Sequence, residues 1–283
     1  MAGDDTATCD ADRSAADRLT GLGRAAAGAL LFGLPMLMTL ELWQLGFVAD
    51  RLRLAILVAG STPVLVLLAH RLGFEQTFGW RDDVRDALIA VAIGLLVSAV
   101  VLAVFRVIRP GMPTSEIVGK LALQTVPASI GALLARSQLG ETHEDDDEGE
   151  GEQALSGYFG QLFLMGVGAV FLGLNIAPTD EVVVISRMMA PWHALLLVLL
   201  SIALMHAFIY ALAFRGGGGP NEGRWGDFLR YTITGYALCL GISAYALWTY
   251  GRLDGLALAP AAMAIVVLGF PSALGAAAAR MIL

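Results

Sequence analysis

Residues 175–181 read Asn-Ile-Ala-Pro-Thr-Asp-Glu and place two adjacent carboxylates inside a long apolar segment. Apolar residues lead into this stretch from Leu162 and continue beyond it to Ile185. A carboxylate at the centre of a membrane helix costs about 2.5 kcal/mol or more. Because folding does not require that cost, acids at membrane depth are candidates for a functional site. Asp180 and Glu181 are therefore the first candidate site residues.

A similar pattern occurs 140 residues earlier in the chain. At that offset Gly28, Ala29, Gly33, Leu34, Thr39 and Glu41 match Gly168, Ala169, Gly173, Leu174, Thr179 and Glu181. Chance matches of Ala or Leu are common in an apolar sequence, but ordered matches of Thr and Glu are not. The sequence therefore predicts two copies of one unit, each with an acid at the same place.

Further matches extend the predicted duplication over the whole chain. Trp80, Asp82, Arg85 and Ser98 match Trp225, Asp227, Arg230 and Ser243 at an offset of 145. Pro127, Gly131, Ala135 and Arg136 match Pro271, Gly275, Ala279 and Arg280 at an offset of 144. The tryptophans and aspartates are typical of interface anchors and helix starts. The Pro and Gly pairs predict kinks that allow close helix packing.

The composition indicates a membrane protein. Of the 283 residues, 57% are hydrophobic and only 15% are charged, whereas a soluble domain carries roughly 25% charged residues. The net charge of −7 is due to eight acids between Glu141 and Glu152. Such a block of like charge is typical of a solvated linker.

Segments of about 20 mostly apolar residues are long enough to span a bilayer. The predicted spans are Gly23–Val48, Leu52–Leu72, Val84–Ile108, Ser115–Leu134, Tyr158–Ile185, Ala190–Phe214, Phe228–Tyr250 and Leu256–Leu283. We therefore expect an all-α polytopic membrane helix bundle with about eight transmembrane helices.

The predicted organisation has four parts: a polar N-terminal tail (1–22), a first four-helix repeat (23–136), an acidic linker (137–157) and a second four-helix repeat (158–283). An even number of spans per copy predicts parallel repeats related by an axis along the membrane normal. Eleven Lys and Arg residues on one side against seven on the other favour cytoplasmic termini in the cell (inner) membrane.

Proline suits the first turn of a helix but breaks its interior. Pro178 therefore predicts either an interruption of the fifth span near Ala177 or the end of that span, with the acids at the membrane interface. In the first case Asn175 could cap the new half-helix, and exposed carbonyl groups could coordinate ions. In the first copy, Pro35 predicts a kink six residues before Glu41.

Several other polar residues within the spans have two interpretations. Glu116 and Lys120 are spaced for a helical ion pair, either in an interfacial first turn or buried. His206 and Tyr210 are four residues apart in the sixth span. They indicate either a weak proton relay or a histidine satisfied by interior hydrogen bonds.

The chain lacks the sequence motifs of zinc proteases, serine hydrolases, phosphate loops and redox Cys pairs. We therefore expect no cofactor, no metal site and no nucleic-acid partner, and an intramembrane enzyme is only a remote alternative. The fifth-span motif, together with a first span containing Leu-Phe-Gly-Leu-Pro-Met-Leu-Met-Thr-Leu-Glu (31–41), resembles a family of bacterial integral membrane proteins with no assigned function. The resemblance covers about Arg24 to Arg280 and implies no particular activity.

The leading hypothesis is a transporter or channel in the lipid bilayer for a cation or a proton. Its predicted pathway residues are Glu41, Asp180, Glu181, Thr39, Thr179 and Asn175, with His206 and Tyr210 as weaker members. The alternative is a membrane scaffold or sensor subunit that transports nothing. The sequence does not identify the transported species or the oligomeric state.

Overall fold

The computed structural model describes the backbone of residues 4–72, 80–139, 157–215 and 228–282, and the side chains of residues 19–70, 80–135, 157–208 and 230–280. Over these ranges the protein is helical and contains no strand. The helices are α1 (Asp4–Leu37), α2 (Leu40–Val48), α3 (Arg51–Leu72), α4 (Trp80–Val104), α5 (Thr114–Leu139), α6 (Tyr158–Ile176), α7 (Glu181–Met188), α8 (Pro191–Arg215), α9 (Thr234–Thr249) and α10 (Leu258–Ile282). The prediction of an all-α fold is confirmed.

Seven helices of the described part of the chain are long and apolar enough to cross a membrane. Their apolar segments are Leu19–Leu37, Arg51–His70, Trp80–Val104, Thr114–Ala135, Tyr158–Ile176, Pro191–Phe208 and Leu258–Arg280. The remaining predicted span, Phe228–Tyr250, consists of a π-helical turn (Phe228–Ile233) followed by α9. The expected polytopic helix bundle is confirmed, with this span divided in two.

Two further predicted spans are broken. The predicted span Gly23–Val48 is divided between α1 and the nine-residue α2, and Tyr158–Ile185 is divided between α6 and the eight-residue α7. Pro35 lies in the last turn of α1, and Pro178, which has no N–H to donate, follows the end of α6. Both alternatives predicted for Pro178 end the helix near Ala177, and this is confirmed, since Ala177 is the C-cap residue of α6. The break after α1, which was expected only to be a kink, is complete.

The chain divides into two compact units. The first comprises Met1–Thr39 and Val58–Asp145, and the second comprises Leu40–Leu57 and Asp146–Leu283. In the first unit, α1 and α4 pack on α5 and on each other. In the second unit, α6, α8 and α9 pack on α10. The helix at the centre of each unit is thus the last membrane-length helix of its half of the chain.

Glycines allow the main helices of each unit to approach closely. In the first unit, a Cβ added to Gly28 of α1 would lie 2.3 Å from the carbonyl oxygen of Gly131 of α5. In the second unit, a Cβ added to Gly168 of α6 would lie 2.1 Å from the carbonyl oxygen of Gly275 of α10. The backbones therefore touch at both places, as in small-residue packing of membrane helices.

The contacts continue along the same helices. Gly33 faces Ala128 in the first unit, and Gly173 faces Ser272 in the second. The residues that meet are thus those matched at offsets of 140 and 144. The acidic stretch Glu141–Glu152 and the residues Trp225 and Asp227 lie outside the described residues.

Candidate functional site

The break after α1 is closed by a threonine turn. The backbone N–H and the hydroxyl of Thr39 both donate to the carbonyl oxygen of Met36, at 3.2 and 2.9 Å. The side-chain amide of Gln124, on α5, donates to the same oxygen at 3.0 Å. The helix break removes the backbone N–H that would normally bond the Met36 carbonyl group, and Thr39 and Gln124 supply hydrogen bonds in its place.

The break after α6 has the same turn. The backbone N–H and the hydroxyl of Thr179 donate to the carbonyl oxygen of Ile176 at 3.1 and 2.9 Å. Arg252, in the loop before α10, donates to the carbonyl oxygen of Pro178. The two predicted site threonines thus have the same role, which is to close the turn between a long helix and a short one.

The first break lies at the depth of the middle of α5. Gln124 is ten residues after the start and eleven before the end of the apolar segment Thr114–Ala135. At 1.5 Å per residue, this leaves about 15 Å of helix on each side. Since a hydrocarbon core is about 30 Å thick, the Met36 carbonyl group lies at the level expected for the bilayer midplane.

The three predicted acids have different environments. Glu41 is half-buried in the first turn of α2, whereas Asp180 and Glu181 are exposed at the start of α7. Among the residues that the structure describes, Asp180 forms an ion pair with Arg252. The side chain of Asp180 is 72% exposed and that of Arg252 is 18% exposed. Glu41 and Glu181 have no ion-pair partner among those residues.

The remaining predicted site residues do not form a common cluster with the acids. The expectation that Asn175 could cap α7 is wrong, because its side-chain amide donates to the Phe171 carbonyl oxygen at 2.6 Å and Asp180 occupies the N-cap position. His206 Nδ1 lies 3.1 Å from Thr232 Oγ1, which supports the interpretation of a satisfied interior histidine. The side chain of Tyr210 lies outside the described residues.

The loop between α9 and α10 connects several segments of the second unit. Besides Arg252, it contains Asp254, whose two carboxylate oxygens each accept a 2.9 Å hydrogen bond from the guanidinium group of Arg53. Arg53 also donates to the Trp248 carbonyl oxygen and lies 5.1 Å from the centre of its ring. This bidentate pair fixes the start of α3 to the second unit.

A row of polar residues lies inside the first unit, along α5. Lys120 Nζ lies 2.6 Å from Glu116 Oε1, and their side chains are only 8% and 17% exposed. Gln124, Thr125 and Ser129 follow along the helix and are buried. Glu116 lies in the first turn of α5, as one interpretation of the pair expected, and both side chains are largely buried, as the other expected. The α5 polar row (Glu116, Lys120, Gln124, Thr125 and Ser129) therefore occupies the core of this unit.

Two buried oxygens near the middle of this core have no hydrogen-bond partner. They are Oε1 of Gln124 and Oγ of Ser98, on α4. The residue matched to Ser98 in the second unit, Ser243, donates to the Ser272 hydroxyl at 3.0 Å and to the Cys239 carbonyl oxygen at 2.8 Å. Ser98 lacks a similar partner because Ala128 occupies the position that matches Ser272.

An acid–base pair lies at the opposite end of α4. His70 Nδ1 is 2.8 Å from a carboxylate oxygen of Asp83. Asp83 is buried, as is Asp86 one turn further on, whereas the side chain of His70 is 59% exposed. Analysis of the acid motif alone missed these three residues and Ser98. For the aspartates the available signal was a polar residue in one copy where the other has an aromatic residue, as in Asp83 against Phe228.

A cavity of about 110 Å³ adjoins this core between α3, α4 and α5. Its walls are almost entirely apolar, and its few hydroxyl groups, such as those of Thr62 and Thr125, are bonded to their own helices. In the part of the chain that is described, no group of three or more His, Cys, Asp or Glu side chains is placed to hold a metal ion. The polar chemistry of the first unit is thus carried by single side chains and pairs.

Membrane-length helices packed into two units, with helix breaks and buried polar side chains, define a multi-pass integral membrane protein. The chain belongs to the family described as "Putative integral membrane protein (DUF2391)", whose model matches residues 21–283. Comparison with curated proteins and with solved structures found no match. The expected membership of a family of integral membrane proteins is confirmed.

Proposed function

We propose that this integral membrane protein transports a cation or a proton across the bilayer and is not an enzyme. The observation that carries the proposal is the helix break at the level of the middle of α5, where Thr39 closes the turn and Glu41 follows in the next helix. Transporters commonly bind their substrates near the midplane at interrupted helices, because carbonyl groups and helix ends are available there.

The second break supports the same proposal. Thr179, Asp180 and Glu181 follow α6 in the arrangement in which Thr39 and Glu41 follow α1. A functional pathway gives a reason for acids at both breaks, whereas stability alone would favour apolar residues. We include Asn175 in the pathway because its Oδ1 atom is buried and has no hydrogen-bond partner. His206 and Tyr210 remain weaker members.

Flux measurements in liposomes test this proposal. The wild-type protein is expected to pass protons, Na⁺ or K⁺, and the double variant Glu41→Gln, Glu181→Gln to lose at least about 90% of that flux. Its melting temperature is expected to stay the same or rise, because a neutral amide avoids the cost of a partly buried charge. Asp82→Asn is the matched control, since Asp82 is an exposed acid in the first turn of α4. Equal flux in the double variant and the wild type would contradict the pathway.

A scaffold or sensor subunit is the second candidate. It is supported by the ion pair between Asp180 and Arg252, which holds one of the three acids in a structural contact. In this case the purified protein shows no flux above that of empty liposomes, and Asp180→Asn lowers the melting temperature.

The proposal includes a duplicated architecture with both termini in the cytoplasm. It is supported by the matched glycine contacts and threonine turns within the two units and by the distribution of Lys and Arg. Fusions of GFP and of alkaline phosphatase to the C-terminus test the orientation. A cytoplasmic terminus gives fluorescence and no phosphatase activity, and the opposite result would reverse the topology.

A further inference from the structure

The polar row of α5 has no counterpart in the matched helix of the second unit. Its members are Glu116, Lys120, Gln124, Thr125 and Ser129, and the residues 144 positions later in α10 are Pro260, Ala264, Leu268, Gly269 and Ala273. Both helices nevertheless make the same close contact with a glycine-bearing partner helix. Packing therefore does not require polar residues at these positions.

The row continues towards the far end of α4. Lys120 lies beside Val107, and Ser129 lies beside Gly94, so α4 and α5 run in opposite directions. Asp86 and Asp83 consequently lie at the level of the last turns of α5. From the level of Glu116 to that of Asp83 is about 36 Å at 1.5 Å per residue, slightly more than the thickness of the hydrocarbon core, which is about 30 Å.

Near the middle of this row, two buried oxygen atoms have no hydrogen-bond partner in the protein. Gln124 is 1% exposed and Ser98 is fully buried, and Gln124 Oε1 and Ser98 Oγ both lack a partner. The antiparallel packing places Ser98 about one turn from Gly94, at the level of Gln124. Buried polar atoms without a protein partner are normally satisfied by ordered water.

We propose that the first unit contains a proton path. It runs from the Glu116–Lys120 pair, past water held by Gln124 and Ser98 and past the hydroxyl groups of Thr125 and Ser129. From Ser129 it crosses about 12 Å through the apolar cavity that Ala87 and Val91 also line, and it ends at Asp86 and the Asp83–His70 pair. This inference rests on the proposed transport function and names the proton as the transported species. Hydroxyl groups and water both donate and accept hydrogen bonds, so a proton can pass along them.

The chemistry of the path favours a proton over a metal cation. The middle of the path offers only a few neutral oxygens, which can relay a proton but are too few to replace the hydration shell of a metal cation. Each end of the path carries an acid–base pair, Glu116 with Lys120 and Asp83 with His70. Gln124 is a positioning residue, because it holds water and also bonds the Met36 carbonyl group at the α1 break.

Two matched serine variants test the path. Ser98→Ala is expected to lower proton flux at least about tenfold, measured with a pH-sensitive dye inside liposomes under a K⁺ diffusion potential. It should change the melting temperature little, because the hydroxyl group that it removes has no protein partner. Ser243→Ala makes the same chemical change in the second unit and is expected to leave proton flux unchanged. Gln124→Leu, which introduces the residue found at 268, should reduce flux as Ser98→Ala does.

Hydrogen–deuterium exchange of the Gln124 side-chain amide provides a readout that does not depend on transport. We expect exchange within minutes in nanodiscs, measured by NMR and assigned by the loss of the signal in Gln124→Leu. Flux of Na⁺ or K⁺ without protons, or wild-type proton flux in Ser98→Ala, would overturn the path and leave transport standing. An amide as protected as the α5 backbone would also overturn the path. Rapid exchange without any flux would retain the water path and refute transport.

Discussion

The first and second units pack their main helices in the same way but differ in what they bury. In both units a glycine backbone touches the central helix, and a threonine closes the turn after the first long helix with the same 2.9 Å hydrogen bond. The central helix of the first unit nevertheless carries a polar row, whereas that of the second is apolar at the matched positions. Packing therefore accounts for the small residues, and the polar residues need a chemical explanation.

The units also differ in how exposed their ion pairs are. Glu116 and Lys120 are largely buried in the first unit, whereas Asp180 is mostly exposed in its pair with Arg252 in the second. A buried pair is held by low dielectric and is costly to break, but an exposed pair contributes little. Stability measurements can therefore separate the two cases.

The largest effect is expected for Lys120→Met. This change leaves Glu116 without its partner in a site that is 17% exposed, and breaking a buried pair costs about 3–5 kcal/mol. Thermal unfolding in detergent should show a large loss of stability. The double variant Glu116→Gln, Lys120→Met should recover most of that loss, because no lone charge remains. A wild-type melting temperature in Lys120→Met would mean that the pair is solvated.

The glycine contacts are expected to give the next largest effect, and to give it equally in both units. Gly28→Ala and Gly168→Ala each place a methyl group within 2.3 Å of a carbonyl oxygen on the partner helix, and overpacking typically costs about 1–3 kcal/mol. Gly241→Ala is the control, since its added Cβ would have no neighbour within 4 Å. If only one of these two variants lost stability, the glycine contacts of the two units would not be equivalent.

The threonine turns should give smaller and equal effects. Thr39→Val and Thr179→Val keep the shape of the side chain and remove one hydrogen bond to a carbonyl oxygen, which is worth about 1 kcal/mol. The two melting temperatures should fall by similar amounts. A clear difference between them would show that the two breaks are held by different interactions.

Arg252→Gln is expected to have the smallest effect on stability. Its partner Asp180 is 72% exposed, and exposed ion pairs contribute about 0–1 kcal/mol. High salt should reduce the difference between wild type and variant further, because screening weakens an exposed pair. A loss comparable to that of Lys120→Met would show that the second unit depends on this pair.

Much of this architecture could be predicted from the sequence because it depends on local patterns. Apolar length predicted the spans, and Pro178 predicted the break near Ala177. The offsets of 140 and 144 singled out Gly28 and Gly131 as matched residues, but they did not show that these two glycines contact each other. The break after α1 was predicted only as a kink, because Thr39 and Gln124 complete it through hydrogen bonds rather than through proline alone.

The partners of the candidate site residues were harder to predict because they are distant in sequence. Arg252 is 72 residues from Asp180, and no periodicity connects a loop arginine with a helix break. Gln124 is 88 residues from Met36. The buried serine of α4 gives no signal by itself, since its match, Ser243, is also a serine. The change from Ser272 to Ala128 removes the hydroxyl partner that Ser243 has in the second unit.

An experimental density map that resolves ordered water tests the central claim most directly. Our account predicts a water molecule within hydrogen-bonding distance of Gln124 Oε1 or Ser98 Oγ in the core of the first unit. It also predicts no water at the matched position beside Leu268, where Ser243 and Ser272 already bond each other. A dry core around Gln124 in such a map, with both oxygens turned to protein donors, would contradict the account.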